Sequence, residues 1–266
     1  MNIILVHGIL GFRRVFGIDY FRDVAQHFRE KGLQVLVPEL DPTQGIGFRG
    51  DQSRDQIQAA FVLKTLDPDQ ETQIIAHSMG GLDSRYMLSP ANPHPIQVPI
   101  RSLTTISTPH RGSPIADIVD NPAEILPFPH LPFVSPARVL TPALDALGIS
   151  LNGLRDLTTN SCQTFAQRYP DHPNVTYFSV AGAGRPSFPE TAAAFLLFHQ
   201  YISALTGQPN DGLVTDSSAK WGTFDPTPWP GDHAEETGHN LDNLLLPPAF
   251  PYLAKYDRIL ANATAV

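Results

Sequence analysis

The chain predicts an α/β architecture, a mostly parallel central sheet flanked by helices, and three observations carry that prediction. Short runs of apolar, largely β-branched residues alternate with stretches of helical periodicity, the mark of successive β-α-β units. Glycine or proline punctuates the ends of these segments. A serine stands directly between an apolar run and a helical stretch, in Ile74-Ile75-Ala76-His77-Ser78-Met79-Gly80-Gly81.

Ile3 to Val6 has no polar residue and reads as a buried strand. A helix is expected from about Ile18 to Lys31, with Phe21, Val24, Ala25 and Phe28 on one face and Gly32 at its end. Gln34 to Val37 is a second strand, stopped by Pro38. A loop with Gly45, Gly47 and Gly50 leads into a helix from about Gln52 to Leu66, and Thr72 to Ala76 is the third strand. A helix from about Met79 to Leu88 and a fourth strand at Ser102 to Ile106 complete the regular part. From Thr108 to Pro142 prolines crowd, above all in Pro127-Phe128-Pro129-His130-Leu131-Pro132, and oppose regular helix or strand. So long an irregular segment is usually functional or a cap. Val175 to Ala181 returns to strand pattern. Ala192 to Leu205 reads as an apolar helix, either core or the wall of a cap, and Tyr252 to Ala261 as an amphipathic one. A single domain over 1–266 is expected, with cap or lid segments at about 109–160 and 185–206.

A length of 266 residues buries a full core without staples. Lys and Arg number 18 against 26 Asp and Glu, a net charge of −8 that leaves no basic stripe for phosphates and excludes nucleic acid as a partner. The single cysteine, Cys162, cannot close an internal disulfide and reads as an idle thiol. The first residues lack the cationic and apolar regions of a signal peptide. The apolar stretch Thr191 to Leu205 is too short to cross a bilayer and carries His, Gln and Tyr. These features predict a soluble, cytoplasmic protein without a transmembrane anchor, export by a signal-independent route being the alternative.

The strand, the small-x-Ser-x-Gly string and the following helix form the context of a nucleophile elbow, in which Ala76 and Gly80 supply the small residues the tight turn needs. A serine hydroxyl needs a base within hydrogen-bond reach and a carboxylate to fix that base's tautomer. Among the later histidines, His239 sits in a glycine-bounded loop and is the choice for the base. His233, beside Asp232 and Glu235, is the alternative. Asp211, in the turn Asn210-Asp211-Gly212 before an apolar pair, is the choice for the acid, with Asp216 next. Oxyanion donors are expected at the backbone N–H of Met79, at the helix start, and of Ile9, in the loop after the first strand. His7 reads as a residue that orients that loop.

At His7-Gly8-Ile9-Leu10-Gly11-Phe12, Ala76 through Tyr86, Thr104 through Ser113, Leu157-Thr158-Thr159 and Asn210 through Val214, the chain resembles the bacterial true lipases, the family I triacylglycerol lipases of the α/β-hydrolase fold. The resemblance implies Ser78, Asp211 and His239 as the triad and the Ile9 and Met79 amides as the oxyanion hole. It also implies that the Pro-rich segment and the apolar helix cover an acyl-binding cleft. Many such lipases carry a secretion signal and a disulfide; this chain resembles the subgroup with neither. A structural calcium is implied as well, with Asp242 and Glu190 as candidate carboxylates, both displaced from the family pattern. Asp242 capping the following helix is the other reading, since calcium wants six to eight oxygens.

The expected function is hydrolysis of carboxylic esters of acyl lipids or acylglycerols through an acyl-enzyme, with no cofactor in the chemistry. Such substrates gather at a lipid–water interface, and contact with one is expected. Phe12, Phe16, Ile18, Phe195 and Phe198, with Phe128, Leu131 and Phe133 of the Pro-rich run, are candidate acyl contacts, each equally a candidate for the core. A thioesterase, amidase or acyltransferase on the same triad, or a catalytically silent binding protein, are the rivals.

Overall fold

All five residues of strand β1, Asn2–Val6, are buried, because the strand lies between two neighbours in a sheet covered on both faces. The computed structural model describes residues 1–9, 14–15, 18–120, 142, 151–184, 193–241, 243 and 246–264. Within them, six parallel strands run in the order β4-β1-β5-β6-β7-β8: β4 Gln34–Leu36, β1, β5 Thr72–His77, β6 Ser102–Ile106, β7 Thr176–Val180 and β8 Thr223–Phe224. Two-residue strands β2 (Arg14–Val15) and β3 (Ile18–Asp19) form a separate antiparallel pair.

The period-two alternation of a strand sorts the core into two layers. Ile3 and Leu5 face helices α1 (Val24–Glu30) and α9 (Tyr252–Thr264), packing with Phe21, Phe28, Tyr256 and Ile259. Ile4 and Val6 face the opposite layer, with Ile57 of α2 (Ile46–Val62) and Met87 of α3 (Met79–Leu88). A third cluster contains Ile9, Met79, Leu82, Ile115, Leu154, Phe195, Phe198 and Leu213. It draws on α4 (Pro114–Asp117), α5 (Leu151–Arg155), α6 (Thr159–Arg168) and α7 (Ala193–Thr206).

Helix α3 and strand β6 have the expected limits. The helix expected from Ile18 begins only at Val24, since Ile18 and Asp19 pair as a strand and Asp23 enters at φ 57°. Helix α2 begins at Ile46, before the expected Gln52, because Asp156 lends Oδ2 to the Ile46 N–H at 2.7 Å across 110 positions of sequence. In the Pro-rich stretch, Ser113 and Pro114 start the one-turn helix α4. Positions 121–141 and 143–150 lie outside the described residues. Helices α5 and α6 were not expected. Among the described residues no helix is long and apolar enough to cross a membrane.

Candidate active site

Ser78 holds φ 56° and ψ −134° at the junction of β5 and α3, a left-handed backbone that costs a non-glycine residue about 1–3 kcal/mol. Its neighbours hold it there: Ser78 N–H donates to the Ile106 carbonyl at 2.9 Å, and Thr108 Oγ1 donates to the Ser78 carbonyl at 2.7 Å. A methyl group on Gly80 would collide with the Val6 carbonyl, so the turn admits no side chain there. Met79 opens α3, where the first N–H groups have no intrahelical acceptor.

The loop after β1 passes directly over the serine. A Cβ on Gly8 would stand 2.5 Å from Ser78 Cβ and 3.0 Å from its Oγ. Fully buried Arg49 holds this loop by donating to the carbonyls of His7 at 2.7 Å, Gly8 at 3.3 Å and Asp41 at 3.0 Å, while its Nε meets Asp83 Oδ2 at 2.9 Å. A trans peptide sets its C=O and N–H antiparallel, so a Gly8 carbonyl drawn to Arg49 turns the Ile9 N–H the other way. His7 accepts the Leu40 N–H at Nε2, which places the ring proton on Nδ1 and toward the Gly8 carbonyl at 3.0 Å. Burial, with Arg49, lowers the His7 imidazole to about 3, so it stays neutral. Neither Arg49 nor its partner Asp83 was singled out by sequence; the fork meets its acceptors only once α2 is packed. Burial pushes the Asp83 carboxyl up to about 7 against the pull of Arg49. Because Gly8 has no room for a side chain, Gly8→Ala is expected to lower kcat by roughly 100-fold, the cost of a displaced oxyanion donor. Steady-state kinetics on a soluble ester check this; an unchanged kcat would remove the loop from the site.

Asp211 is fully buried on the turn before α8 (Asp216–Ala219). Its Oδ1 accepts the N–H groups of Leu213 at 2.8 Å and Val214 at 2.7 Å. Its Oδ2 lies 2.7 Å from His233 Nδ1, and the His233 N–H donates to the Asp211 carbonyl at 3.0 Å. Burial alone would raise this carboxyl; His233 and the two amides outweigh it and hold Asp211 below the usual carboxylate range. The other ring nitrogen, His233 Nε2, is buried and makes no hydrogen bond. The His233 ring is 4.5 Å from that of His77, the residue before Ser78.

The pairing expected of His239 is therefore made by His233. His239 Nε2 donates instead to the carbonyls of Tyr20 at 2.8 Å and Asp19 at 3.0 Å, and burial lowers its basicity. The cause is local: a 3₁₀ turn at Glu235–Thr237 and a left-handed Gly238, φ 89°, carry the chain away from Asp211 before His239 is reached. Asp216 is ion-paired with Lys220 at 2.7 Å and is not the partner of His233.

Phe195 and Phe198 are fully buried in the third cluster, and the Phe195 ring centroid is 6.4 Å from that of His233. Phe12, Phe16, the Ile18 side chain, Phe128, Leu131 and Phe133 lie outside the described residues, as do Asp242 and Glu190 of the calcium expectation. Among the described residues, His77, His233 and Glu236 bring potential metal-ligating atoms within 4.8 Å of one another. These atoms already bond within the protein: His77 Nε2 meets Glu236 Oε2 at 3.0 Å, and His233 meets Asp211.

A parallel sheet in this strand order, with a strained serine between a central strand and its helix, defines an α/β-hydrolase. No protein-family model matches the chain. It is 32% identical over 230 residues to triacylglycerol lipase 2 of Saccharomyces cerevisiae, covering 84% of this chain and 64% of that protein. It is 29% identical over 261 residues to a triacylglycerol lipase of Vibrio cholerae, covering 88% and 78%. The chain thus spans just under two thirds of the yeast relative and more of the bacterial one. The crystal structure of the Staphylococcus hyicus lipase superposes with a TM-score of 0.70 at 18% identity, over 98% of this chain and 94% of that one. The chain belongs to the lipases and esterases of the α/β-hydrolase type.

Proposed function

We propose that the protein hydrolyses carboxylic esters of acyl lipids through an acyl-enzyme on Ser78, with His233 as the proton carrier and Asp211 as its orienting acid. The observation that carries this reading is the 2.7 Å bond from His233 Nδ1 to Asp211 Oδ2, which leaves a buried, unengaged Nε2 on the same ring. Asp211, acceptor only, sets the proton on Nδ1 and leaves Nε2 basic. Ser78 Oγ attacks the ester carbonyl and gives its proton to Nε2. The Ile9 and Met79 amides receive the oxyanion, and the intermediate collapses as His233 protonates the departing alcohol. Water, deprotonated by His233, then cleaves the acyl ester and restores Ser78.

The apolar cluster containing Ile9, Met79, Phe195, Phe198 and Leu213 supports an acyl rather than a polar group beside the nucleophile. Ser78 is only 3% exposed, so the substrate enters by displacing what covers it. Helices α5 and α7 belong to that cover: Gly153 of α5 packs against the Ile9 side chain, and α7 brings Phe195 to His233. The names of the relatives point to glycerides as the natural ester class.

The test is treatment with a p-nitrophenyl phosphate triester, peptide mapping, and turnover of p-nitrophenyl esters of rising chain length and of emulsified triglyceride. The expected result is one equivalent of p-nitrophenol, a phosphoryl group on Ser78, and turnover that extends to long acyl chains. A label elsewhere, or no ester turnover, would sink the reading; turnover confined to short soluble esters would leave an esterase and remove the lipid substrate.

A further inference from the structure

Three residues past His233, and brought beside it by the 3₁₀ turn, stands a fully buried glutamate that the steps above do not use. Glu236 Oε2 lies 3.0 Å from His77 Nε2, and its Oε1 accepts from Ser107 Oγ at 2.7 Å. The hydrogens in this cluster have assignable directions. The Gly182 N–H donates to Ser107 Oγ at 2.8 Å, so the serine proton is left for Glu236. Burial keeps the Tyr20 phenol protonated, and its hydroxyl lies 2.7 Å from His77 Nδ1. Tyr20 therefore donates to Nδ1, and His77 Nε2 carries the ring proton that faces Glu236.

The Glu236 carboxyl also makes a side-chain hydrogen bond with Asp211. Two carboxylates cannot bond to each other, because neither has a hydrogen to donate. One of the pair must be an acid. Asp211 already accepts three N–H donors, from Leu213, Val214 and His233, each of which favours its anion. The titratable groups facing Glu236 are His77, Asp211, Asp232, Tyr20 and Tyr256, with His233 on its own turn. Burial, then Asp211 and Asp232, push its carboxyl well above the ordinary range, in accord with that assignment. The position is also enforced sterically: a Cβ on Gly182 would collide with Glu236 Oε1 and come within 3.1 Å of Asp211 Cβ.

We propose that Glu236 is a positioning residue, a carboxylic acid that keeps its proton and donates it in a hydrogen bond to Asp211. The acid of the triad is then a carboxyl pair carrying one negative charge. The Glu236 proton stays in place while His233 takes and returns the serine proton. Glu236 fixes the plane of the Asp211 carboxylate and ties the histidine turn to the ends of β5, β6 and β7 through His77, Ser107 and Gly182. This rests on the triad reading above, but it can fail separately.

The decisive measurement is an infrared difference spectrum, wild type minus Glu236→Gln, near pH 7. The proposal expects the carbonyl stretch of a protonated carboxylic acid in the wild type, lost in the variant. Loss of a carboxylate stretch instead would overturn it. Should Glu236→Gln fail to fold, the wild type alone decides: the acid band must persist to about pH 8.5, above the value of about 7 to which Asp83 is raised. Its disappearance below that would overturn the proposal. Kinetics supply a second arm. Glutamine is neutral and still donates, so Glu236→Gln should keep kcat within about threefold. Glu236→Leu should lose roughly 10- to 100-fold in kcat at unchanged KM, the size of a hydrogen bond to a charged group. Equal losses in the two variants would mean that the charge of Glu236 is needed, and would refute the neutral acid. A protein with the acid band but no ester turnover would sink the triad reading and leave this one standing.

Discussion

Alanine at His233 is expected to lower kcat/KM for p-nitrophenyl esters by about 10⁴-fold or more, to the same floor that Ser78→Ala reaches. Nucleophile and base act as a unit, so the double variant Ser78→Ala/His233→Ala should be no worse than either single one. Alanine at His239 tests the competing assignment. That imidazole bonds the carbonyls of Asp19 and Tyr20 and is not bonded to Asp211. Its loss should leave two buried acceptors short of a donor, cost about 1–3 kcal/mol of stability, and keep kcat/KM within about tenfold. Steady-state kinetics and thermal melting on the three variants separate the cases. If His239→Ala falls to the Ser78→Ala floor while His233→Ala stays active, the pairing of His233 with Asp211 is not the catalytic one.

Methionine at Arg49 should cost both stability and turnover. Arg49 and Asp83 are each fully buried, and removing the cation strands the Asp83 carboxyl. Breaking such a pair from one side costs about 3–5 kcal/mol, or roughly 10 °C in Tm for a chain of this size. The same change releases the carbonyls of His7 and Gly8 that Arg49 holds, and with them the orientation of the Ile9 N–H. A further loss of about 100-fold in kcat is expected from the disordered oxyanion donor. The double variant Arg49→Met/Asp83→Leu separates the two effects. It replaces the stranded charge by apolar packing and should recover most of the Tm while kcat remains low. Recovery of both together would show that Arg49 serves stability alone and does not orient the loop.

The elements near the nucleophile were legible because their signals are local. Ile74 to Ala76 must be a buried strand, Gly80 and Gly81 permit a turn that larger residues would block, and α3 begins where helical periodicity begins. Asp211 was legible for a similar reason: an Asn-Asp-Gly turn lets the Asp side chain cap the amides that follow it, here Leu213 and Val214. The limits of α2 were not, since its first N–H is capped by Asp156 from a distant part of the chain. Helices α5 and α6, and the short β8, likewise depend on contacts that no local pattern announces. The histidine was misassigned because a glycine-bounded loop looked the better platform. The spacing of His233 and Glu236 was the overlooked signal, since residues three apart come to the same side of a 3₁₀ turn.

Periodicity and turn chemistry in the chain itself were enough for the parallel sheet, the position of Ser78 and the turn at Asp211. Each of these follows from steric and hydrogen-bonding preferences over a few neighbouring residues. Which histidine meets Asp211, that Arg49 draws on the carbonyls before Ile9, and that Glu236 lies against Asp211 were decided only by the tertiary structure. These are contacts across tens to more than a hundred positions, made by fully buried polar groups whose partners are whatever the packed sheet and loops bring within 3 Å. A buried polar side chain must find such a partner, but its own sequence neighbourhood does not say which one.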